Sequence, residues 1–282
     1  MINIFNYPFV NQNINIGTLE FFIISIFLLS IGSFISTVIV RLSKIGKFKI
    51  SDLIYPPSRC THCKIPINYL NLIPIIGYLK QGGKCVNCES KISNFYPITE
   101  FLFLIFGTLI VFNYGFSIYS VYLFLIFTIF YILFVLDIKY FYLPLPLNLC
   151  ISGLGLTGNV FFSLAIEDTS YIFNISPLFL SILGFVIGYS FLYLINFLYK
   201  IFRGIDGIGG GDFILFGGIG AIFGPFSLGP VLFLSSSLGL IYFIFIIKMK
   251  NDKLPLGSFL ILGSFCYFFI KTFELLDIYL VL

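Results

Sequence analysis

The sequence predicts an all-α polytopic membrane protein with about eight transmembrane helices and a small zinc-ribbon-like cytoplasmic loop domain. Three observations support this fold class. Of the 282 residues, 59% are hydrophobic and only 10% are charged, whereas a soluble domain carries about 25% charged residues. Four cysteines are grouped in one polar loop, and the cations are concentrated on one side of the predicted membrane helices.

Eight apolar segments are candidates for spanning the bilayer. They cover residues 18–40, 98–113, 117–136, 146–165, 174–199, 212–226, 228–247 and 256–280. The second and sixth are short for a bilayer that needs about 20 residues. Pro144 lies between the third and fourth segments and Pro146 begins the fourth, and the two prolines disfavour a continuous helix there. We therefore divide the chain into an N-terminal segment with the first helix (1–40), a cytoplasmic cysteine-containing module (41–97) and a seven-helix membrane domain (98–282).

The cations predict the orientation of these helices. With loop 41–97 in the cytoplasm, 15 of the 16 Lys and Arg residues fall on the cytoplasmic side. The opposite turn, 166–173, carries Glu167 and Asp168 without a cation. This asymmetry is the positive-inside bias of membrane proteins. The net charge of +4 therefore follows from topology, and no nucleic-acid partner is needed to explain it.

Two acidic residues lie at span ends on the cytoplasmic side. Asp137 follows the third span and Asp212 begins the sixth, at the same predicted depth. An acid at membrane depth costs roughly 2.5 kcal/mol, so it is a functional candidate. Gly209 and Gly211 precede Asp212 and leave room for another backbone to approach. One such acid alone is explained by a solvated helix cap, but two at matched depth favour a paired site.

Two carboxylates close together in a low-dielectric site share a proton and titrate as a pair. One can accept a proton from water while the other donates to a carbonyl oxygen, as in aspartic proteases. The single histidine, His62, lies in the cytoplasmic loop, so no serine–histidine pair competes with this interpretation. A proton-coupled transporter would also use such acids, although we find no internal repeat that favours one.

The motifs Cys60-Thr-His-Cys63 and Cys85-Val-Asn-Cys88 are separated by 21 residues, a spacing suited to tetrahedral zinc. A cytoplasmic position disfavours disulfides. A module this small buries little apolar surface, so it needs additional stabilisation, which a bound metal would supply. Redox chemistry is the alternative use of these motifs. His62 is a further candidate ligand. Cys150 and Cys266 lie within spans and are predicted to be buried apolar side chains.

Six segments, in order along most of the chain, resemble the type IV prepilin peptidases, which are membrane aspartic proteases of the Gly-x-Gly-Asp type. The segments are Gly32–Leu42, Pro57–Cys60, Lys91–Glu100, Leu136–Pro144, Gly209–Gly224 and Leu254–Leu260. The resemblance implies an enzyme of the bacterial inner membrane. It would cleave the basic leader from type IV prepilins, or from the pseudopilins of type II secretion, at the cytoplasmic face.

The resemblance also implies roles for individual residues. Asp137 and Asp212 match the family's catalytic pair, and Gly209 and Gly211 match its catalytic loop. The four cysteines match the zinc-binding insertion of bifunctional members, which also N-methylate the new N-terminal residue with S-adenosylmethionine. No methyl-donor site is recognisable in the sequence.

Six positions depart from the family pattern, and none of them is one of the two acids or the four cysteines. They are Leu145 for Asp, Asp206 for Glu, Ile208 for Met, Ile214 for Lys, Leu256 for Phe and Ser258 for Pro. Ile214 removes a cation that would lie close to Asp212. Two further hypotheses stay open: a peptidase without methyltransferase activity, and a non-catalytic membrane assembly factor whose zinc module docks a partner.

Overall fold

In the computed structural model of the protein, the described residues are 17–43, 57–163, 166–245 and 254–272, and they contain ten α-helices. The helices are α1 (Thr18–Leu42), α2 (Ile76–Lys80), α3 (Phe95–Tyr114), α4 (Ile118–Tyr140), α5 (Leu145–Phe162), α6 (Glu167–Phe173), α7 (Pro177–Arg203), α8 (Gly210–Phe223), α9 (Leu228–Phe245) and α10 (Leu256–Thr272).

Some predicted features lie outside the described residues. They are the first 16 residues, positions 44–56 of the cysteine-containing module, the ends of the fourth, seventh and eighth spans, the Glu167 side chain, and the cations Lys44, Lys47, Lys49, Lys248, Lys250 and Lys253.

The prediction of an all-α polytopic membrane protein is confirmed. Six helical segments are long and apolar enough to cross a bilayer, namely α1, α3, α4, α5, α7 and α9 with the 3₁₀ turn that precedes it. The shorter apolar helices α8 and α10 occupy the sixth and eighth predicted spans. Among the described residues no β-strand forms, and the chain is paired in extended conformation only at two isolated bridges.

Three local features show how the sequence sets helix boundaries. The second span is longer than predicted, because α3 begins at Phe95, whose N–H donates to Ser93 Oγ at 3.2 Å. The helix breaks before Pro144 as predicted, with Pro144 as the N-cap of α5. The predicted turn 166–173 instead contains α6, which follows the fully buried side chain of Ile166.

The packing divides the chain into two compact units, residues 1–128 and 129–282. In the first unit α1 packs against α3. A Cβ atom built on Gly32 would lie 2.8 Å from Glu100 Cα, so a side chain is excluded where the two helices cross. Phe103 is fully buried and makes edge-on contacts with Phe124 and Phe127, with ring centroids 5.7 and 5.2 Å away.

The second unit is built around α8, which packs against α5 and α7 and buries every residue from Leu215 to Phe223. The α7–α8 contact is made largely by backbone, because a Cβ atom at Gly184 would overlap the Gly220 carbonyl and one at Gly220 would overlap the Gly184 carbonyl. Asn159 of α5 donates to the carbonyls of Ala221 and Ile222 at 2.8 and 3.0 Å. Small residues and buried amides are the usual means of joining helices in lipid.

Candidate active site and metal centre

Asp137 lies in the last turn of α4, and its side chain is 5% exposed. Its Oδ2 atom accepts two hydrogen bonds from Ser258, one from the backbone N–H at 2.6 Å and one from the hydroxyl at 2.8 Å. Ser258 lies in the first turn of α10, where backbone N–H groups have no partner within the helix. The start of α10 therefore supplies donors that orient the carboxylate.

Asp212 lies in the first turn of α8, which has Gly209 as its N-cap. A carboxylate in this position is stabilised by the positive end of the helix dipole. Its Oδ1 atom is buried and has no hydrogen-bond partner among the described residues. A buried oxygen without a hydrogen-bond donor lowers the stability of the fold, unless another group donates a hydrogen bond to it.

Gly257 lies between the two carboxyl groups. A Cβ atom built there would be 3.0 Å from Asp212 Oδ1 and 3.1 Å from Asp137 Oδ2. The two oxygens can therefore be no farther apart than the sum of these distances. The structure brings Asp137 and Asp212 together, and only glycine leaves the space between them empty.

The two predicted loop glycines lie beside this pair. A Cβ atom on Gly211 would be 2.8 Å from Leu143 Cβ, and one on Gly209 would be 3.2 Å from Asp212 Oδ2. The Gly211 carbonyl accepts a 3.0 Å hydrogen bond from Asn148 Nδ2, on the fully buried side chain of Asn148. Gly211 thus allows the α4–α5 loop to approach the start of α8, and Asn148 fixes that approach.

Asn196 of α7 organises the glycine-rich loop before α8. Its Oδ1 accepts from the backbone N–H groups of Gly207 and Ile208 at 2.8 and 2.9 Å, and its Nδ2 donates to Asp206 Oδ1 at 3.1 Å. Asp206 is exposed and forms a 2.9 Å ion pair with Lys200. Hydrogen bonds from Lys200 and Asn196 hold the pKa of Asp206 below its usual range. Asp206 therefore lies on the loop surface, while Asn196 holds the loop from beneath.

Four thiols form the second cluster. Cys60, Cys63, Cys85 and Cys88 have their sulfur atoms within 4.8 Å of one another, with Cys60–Cys88 at 3.8 Å and Cys63–Cys85 at 4.0 Å. A tetrahedral metal with bonds of about 2.3 Å requires sulfur atoms about 3.8 Å apart. The donor set therefore fits a metal ion of the kind that takes four thiolates, zinc or iron.

The two cysteine motifs have the same local geometry. In each, the first cysteine's carbonyl accepts from the residue four positions later, Lys64 at 3.1 Å and Glu89 at 2.9 Å, and both of those residues have positive φ. Backbone N–H groups of Cys63 and His62 lower the pKa of the Cys60 thiol to about 6. His62 has a backbone N–H 3.4 Å from Cys60 Sγ.

The other two cysteines are not members of this cluster. Cys266 is half-buried, whereas Cys150 is exposed on α5, so the prediction that Cys150 is a buried side chain is wrong. In a membrane helix an apolar side chain can face lipid as readily as the protein interior, because lipid tails are equally apolar.

Sequence reasoning did not identify Ser258, Gly257, Asn148 or Asn196 as parts of the site. Ser258 was recognised only as a departure from the family pattern. Asn148 and Asn196 carried a usable signal, because each is a buried amide within a hydrophobic helix, where polar residues mark interactions within the bundle.

These features define a class: a polytopic membrane protein with a buried pair of carboxyl groups and a four-cysteine metal-binding module. The model of the bacterial peptidase A24 N-terminal domain matches residues 26–114, and that of the type IV leader peptidase family matches residues 122–244. The protein belongs to the type IV leader peptidase family.

Curated relatives extend over most of the chain. A prepilin leader peptidase/N-methyltransferase of Neisseria gonorrhoeae is 32% identical over 217 residues, which cover 77% of this chain and 72% of the relative. Proteins of the same name from Dichelobacter nodosus and Pseudomonas aeruginosa are 29% and 27% identical, covering 89% and 84% of this chain and 91% and 85% of the relatives. No solved structure matches the chain.

Proposed function

We propose that this protein cleaves the basic leader peptide from type IV prepilins or pseudopilins and then N-methylates the new N-terminal residue. The observation that carries the proposal is the meeting of Asp137 and Asp212 on either side of Gly257. Membership in the type IV leader peptidase family, and relatives named prepilin leader peptidase/N-methyltransferase, support it.

In the proposed reaction, the two carboxyl groups share one proton. The ionised carboxylate takes a proton from a water molecule, whose oxygen attacks the scissile carbonyl carbon, while the other carboxyl group donates its proton to the carbonyl oxygen. Collapse of the tetrahedral intermediate breaks the C–N bond and returns a proton to the leaving amine. Ser258 holds Asp137 Oδ2, so Asp137 keeps one orientation through these steps.

The proposed location is the cytoplasmic face of the bacterial inner membrane. Asp137 is in the last turn of α4 and Asp212 in the first turn of α8, which supports a site at a membrane boundary. Such a boundary suits a substrate whose basic leader remains in the cytoplasm while its apolar helix enters the bilayer.

We propose that the metal held by Cys60, Cys63, Cys85 and Cys88 is a structural zinc ion. All four tetrahedral positions would be filled by thiolates, which leaves no open position for substrate. The metal would stabilise a segment that has little regular structure of its own. S-adenosylmethionine is the proposed methyl donor and would supply the transferred methyl group.

The proposal is tested by co-expressing the protein with a prepilin and measuring the mass of the mature pilin. Loss of the leader together with the mass of one added methyl group supports both activities. Cleavage without the added methyl group supports a peptidase alone. An unprocessed prepilin, with the protein present in the membrane, contradicts the proposal.

A further inference from the structure

The first unit contains a cleft of about 660 Å³, within the range of roughly 300–1,000 Å³ that small-molecule sites occupy. Its walls are the second half of α1, the segment from Pro57 to Gln81, and the start of α3. Polar and charged groups in these walls include Ser33, Thr37, Arg41, Arg59, Gln81 and Glu100. The cleft therefore offers more than an apolar surface.

Glu100 is the principal charged group of one wall. It is 5% exposed, and its Oε2 atom accepts a 2.7 Å hydrogen bond from the backbone N–H of Ile75. Among the described residues it takes part in no ion pair. A buried carboxylate without a cation is costly, so a positively charged ligand group in the cleft would relieve that cost.

Ile75 supplies an independent sign of a functional site. It lines the cleft with φ of 58° and ψ of −52°, although a β-branched side chain strongly disfavours positive φ. Strained backbone of this kind clusters at ligand-binding sites, where surrounding contacts hold it. Here the contact is the hydrogen bond from the Ile75 N–H to Glu100.

From these observations we infer that the cleft binds S-adenosylmethionine, with Glu100 facing the positively charged end of the ligand. The inference rests on the methylation part of the proposed function. S-adenosylmethionine carries an ammonium and a sulfonium group, a carboxylate and an adenine ring. Glu100 suits the cations, Arg59 suits the carboxylate, and Tyr78 or Tyr96 offers an aromatic face for the adenine.

The charges of the cleft distinguish this ligand from the basic leader of a prepilin. Among the described residues, Arg41, Arg59 and Lys64 line the cleft together with one acid, Glu100. A leader rich in Lys and Arg would meet like charges there, which costs binding energy. A ligand that carries both signs of charge matches the cleft better.

Direct binding tests the inference. The full-length protein in detergent is dialysed against radiolabelled S-adenosylmethionine, and we expect one molecule bound per chain. Glu100→Gln keeps an acceptor for the Ile75 N–H but removes the charge, so its Kd should rise about tenfold or more. Ser33→Leu fills the cleft from α1 and removes a side-chain hydrogen bond to Glu100, so it should weaken binding similarly. Glu20→Gln, the same change at an exposed acid in the first turn of α1, should leave Kd unchanged.

Metal content, measured per chain, reports whether each variant keeps its fold. Unchanged binding by a metal-loaded Glu100→Gln protein would overturn the inference, as would competitive displacement of S-adenosylmethionine by a synthetic leader peptide. Asp137→Asn separates the two proposals, because it should lose leader cleavage and bind S-adenosylmethionine normally. If the unaltered protein cleaves prepilin but binds no S-adenosylmethionine, the cleft assignment and methylation fail while the peptidase proposal stands.

Discussion

The four-cysteine cluster and the carboxyl pair are assembled in opposite ways. Each cysteine motif closes on itself through a hydrogen bond between residues four positions apart, as from Lys64 to Cys60. The carboxyl pair needs α4, α8 and α10, and Asp137 is bonded to a residue 121 positions away. The two sites also belong to different compact units. Local assembly makes the metal site recognisable from spacing, whereas the acid site depends on how helices pack.

The largest effect is expected from changing the carboxyl pair, which should strongly reduce cleavage without affecting the metal site. Asp137→Asn or Asp212→Asn should lower leader cleavage by roughly 10²–10⁴-fold, because the amide cannot exchange a proton with water or the carbonyl. Cleavage is measured with a purified prepilin, and metal content should stay unchanged. Full activity in either variant would remove the carboxyl pair from the mechanism.

Gly257→Ala tests whether the empty space between the acids matters. The added methyl group would lie about 3 Å from an oxygen of each carboxyl group and should displace one of them. A displacement of about 1 Å can cost on the order of 10²-fold in rate. Single-turnover kinetics measures this loss. Gly153→Ala is the control, because nothing lies within 4 Å of a Cβ atom at that helical position.

Ser258 tests how the acid site is held. Ser258→Ala should lower kcat about tenfold and leave KM unchanged, because one hydrogen bond to a carboxylate is lost. Ser258→Thr keeps the hydroxyl and should restore activity. Ser258→Pro matches the family pattern and is tolerated in a first helical turn, but it removes both donors and should cost more than Ala. Equal activity in the Ala and Thr variants would rule out a positioning role for the hydroxyl.

Cys60→Ser tests the four-cysteine cluster. Removing one thiolate should abolish stoichiometric metal binding, measured by elemental analysis of the purified protein. Leader cleavage should change by no more than about threefold, since the two sites belong to different compact units and share no residue. If Cys60→Ser instead lost cleavage by roughly 10²-fold or more, while Asp137→Asn and Asp212→Asn stayed active, a docking role for the metal module would replace catalysis by the acid pair.

The smallest effect is expected on the loop surface. Lys200→Gln breaks an exposed ion pair with Asp206 and should change cleavage less than twofold. Asn196→Ala removes the acceptor for two backbone N–H groups of the same loop and should cost more. Measured in the same cleavage assay, Asn196→Ala should lose more activity than Lys200→Gln. A larger loss in Lys200→Gln would mean that the surface ion pair contributes more to activity than the buried amide.

The same contrast explains what the sequence could predict. Cysteine spacing predicted the metal-binding cluster, and apolar segments together with cation placement predicted the membrane class, because both patterns are local or compositional. The matched depth of Asp137 and Asp212 suggested that the two acids lie close together. The contacts of Ser258 and Gly257 could not be predicted, because they depend on how the start of α10 approaches the end of α4. Nor did the sequence predict α6, which depends on burial of Ile166.

The backbone contact between α7 and α8 has a consequence for the entropy of assembly. Side chains that become ordered on packing lose rotamer freedom, at a cost of up to about 2 kcal/mol each, whereas glycine loses none. At Gly184 and Gly220 the helices touch without any side chain to order. Because a Cβ atom at either position would overlap the facing carbonyl, the helices can approach this closely only where Gly184 meets Gly220. The helix that carries Asp212 is therefore held in one register against α7, although α8 is itself shorter than a bilayer span.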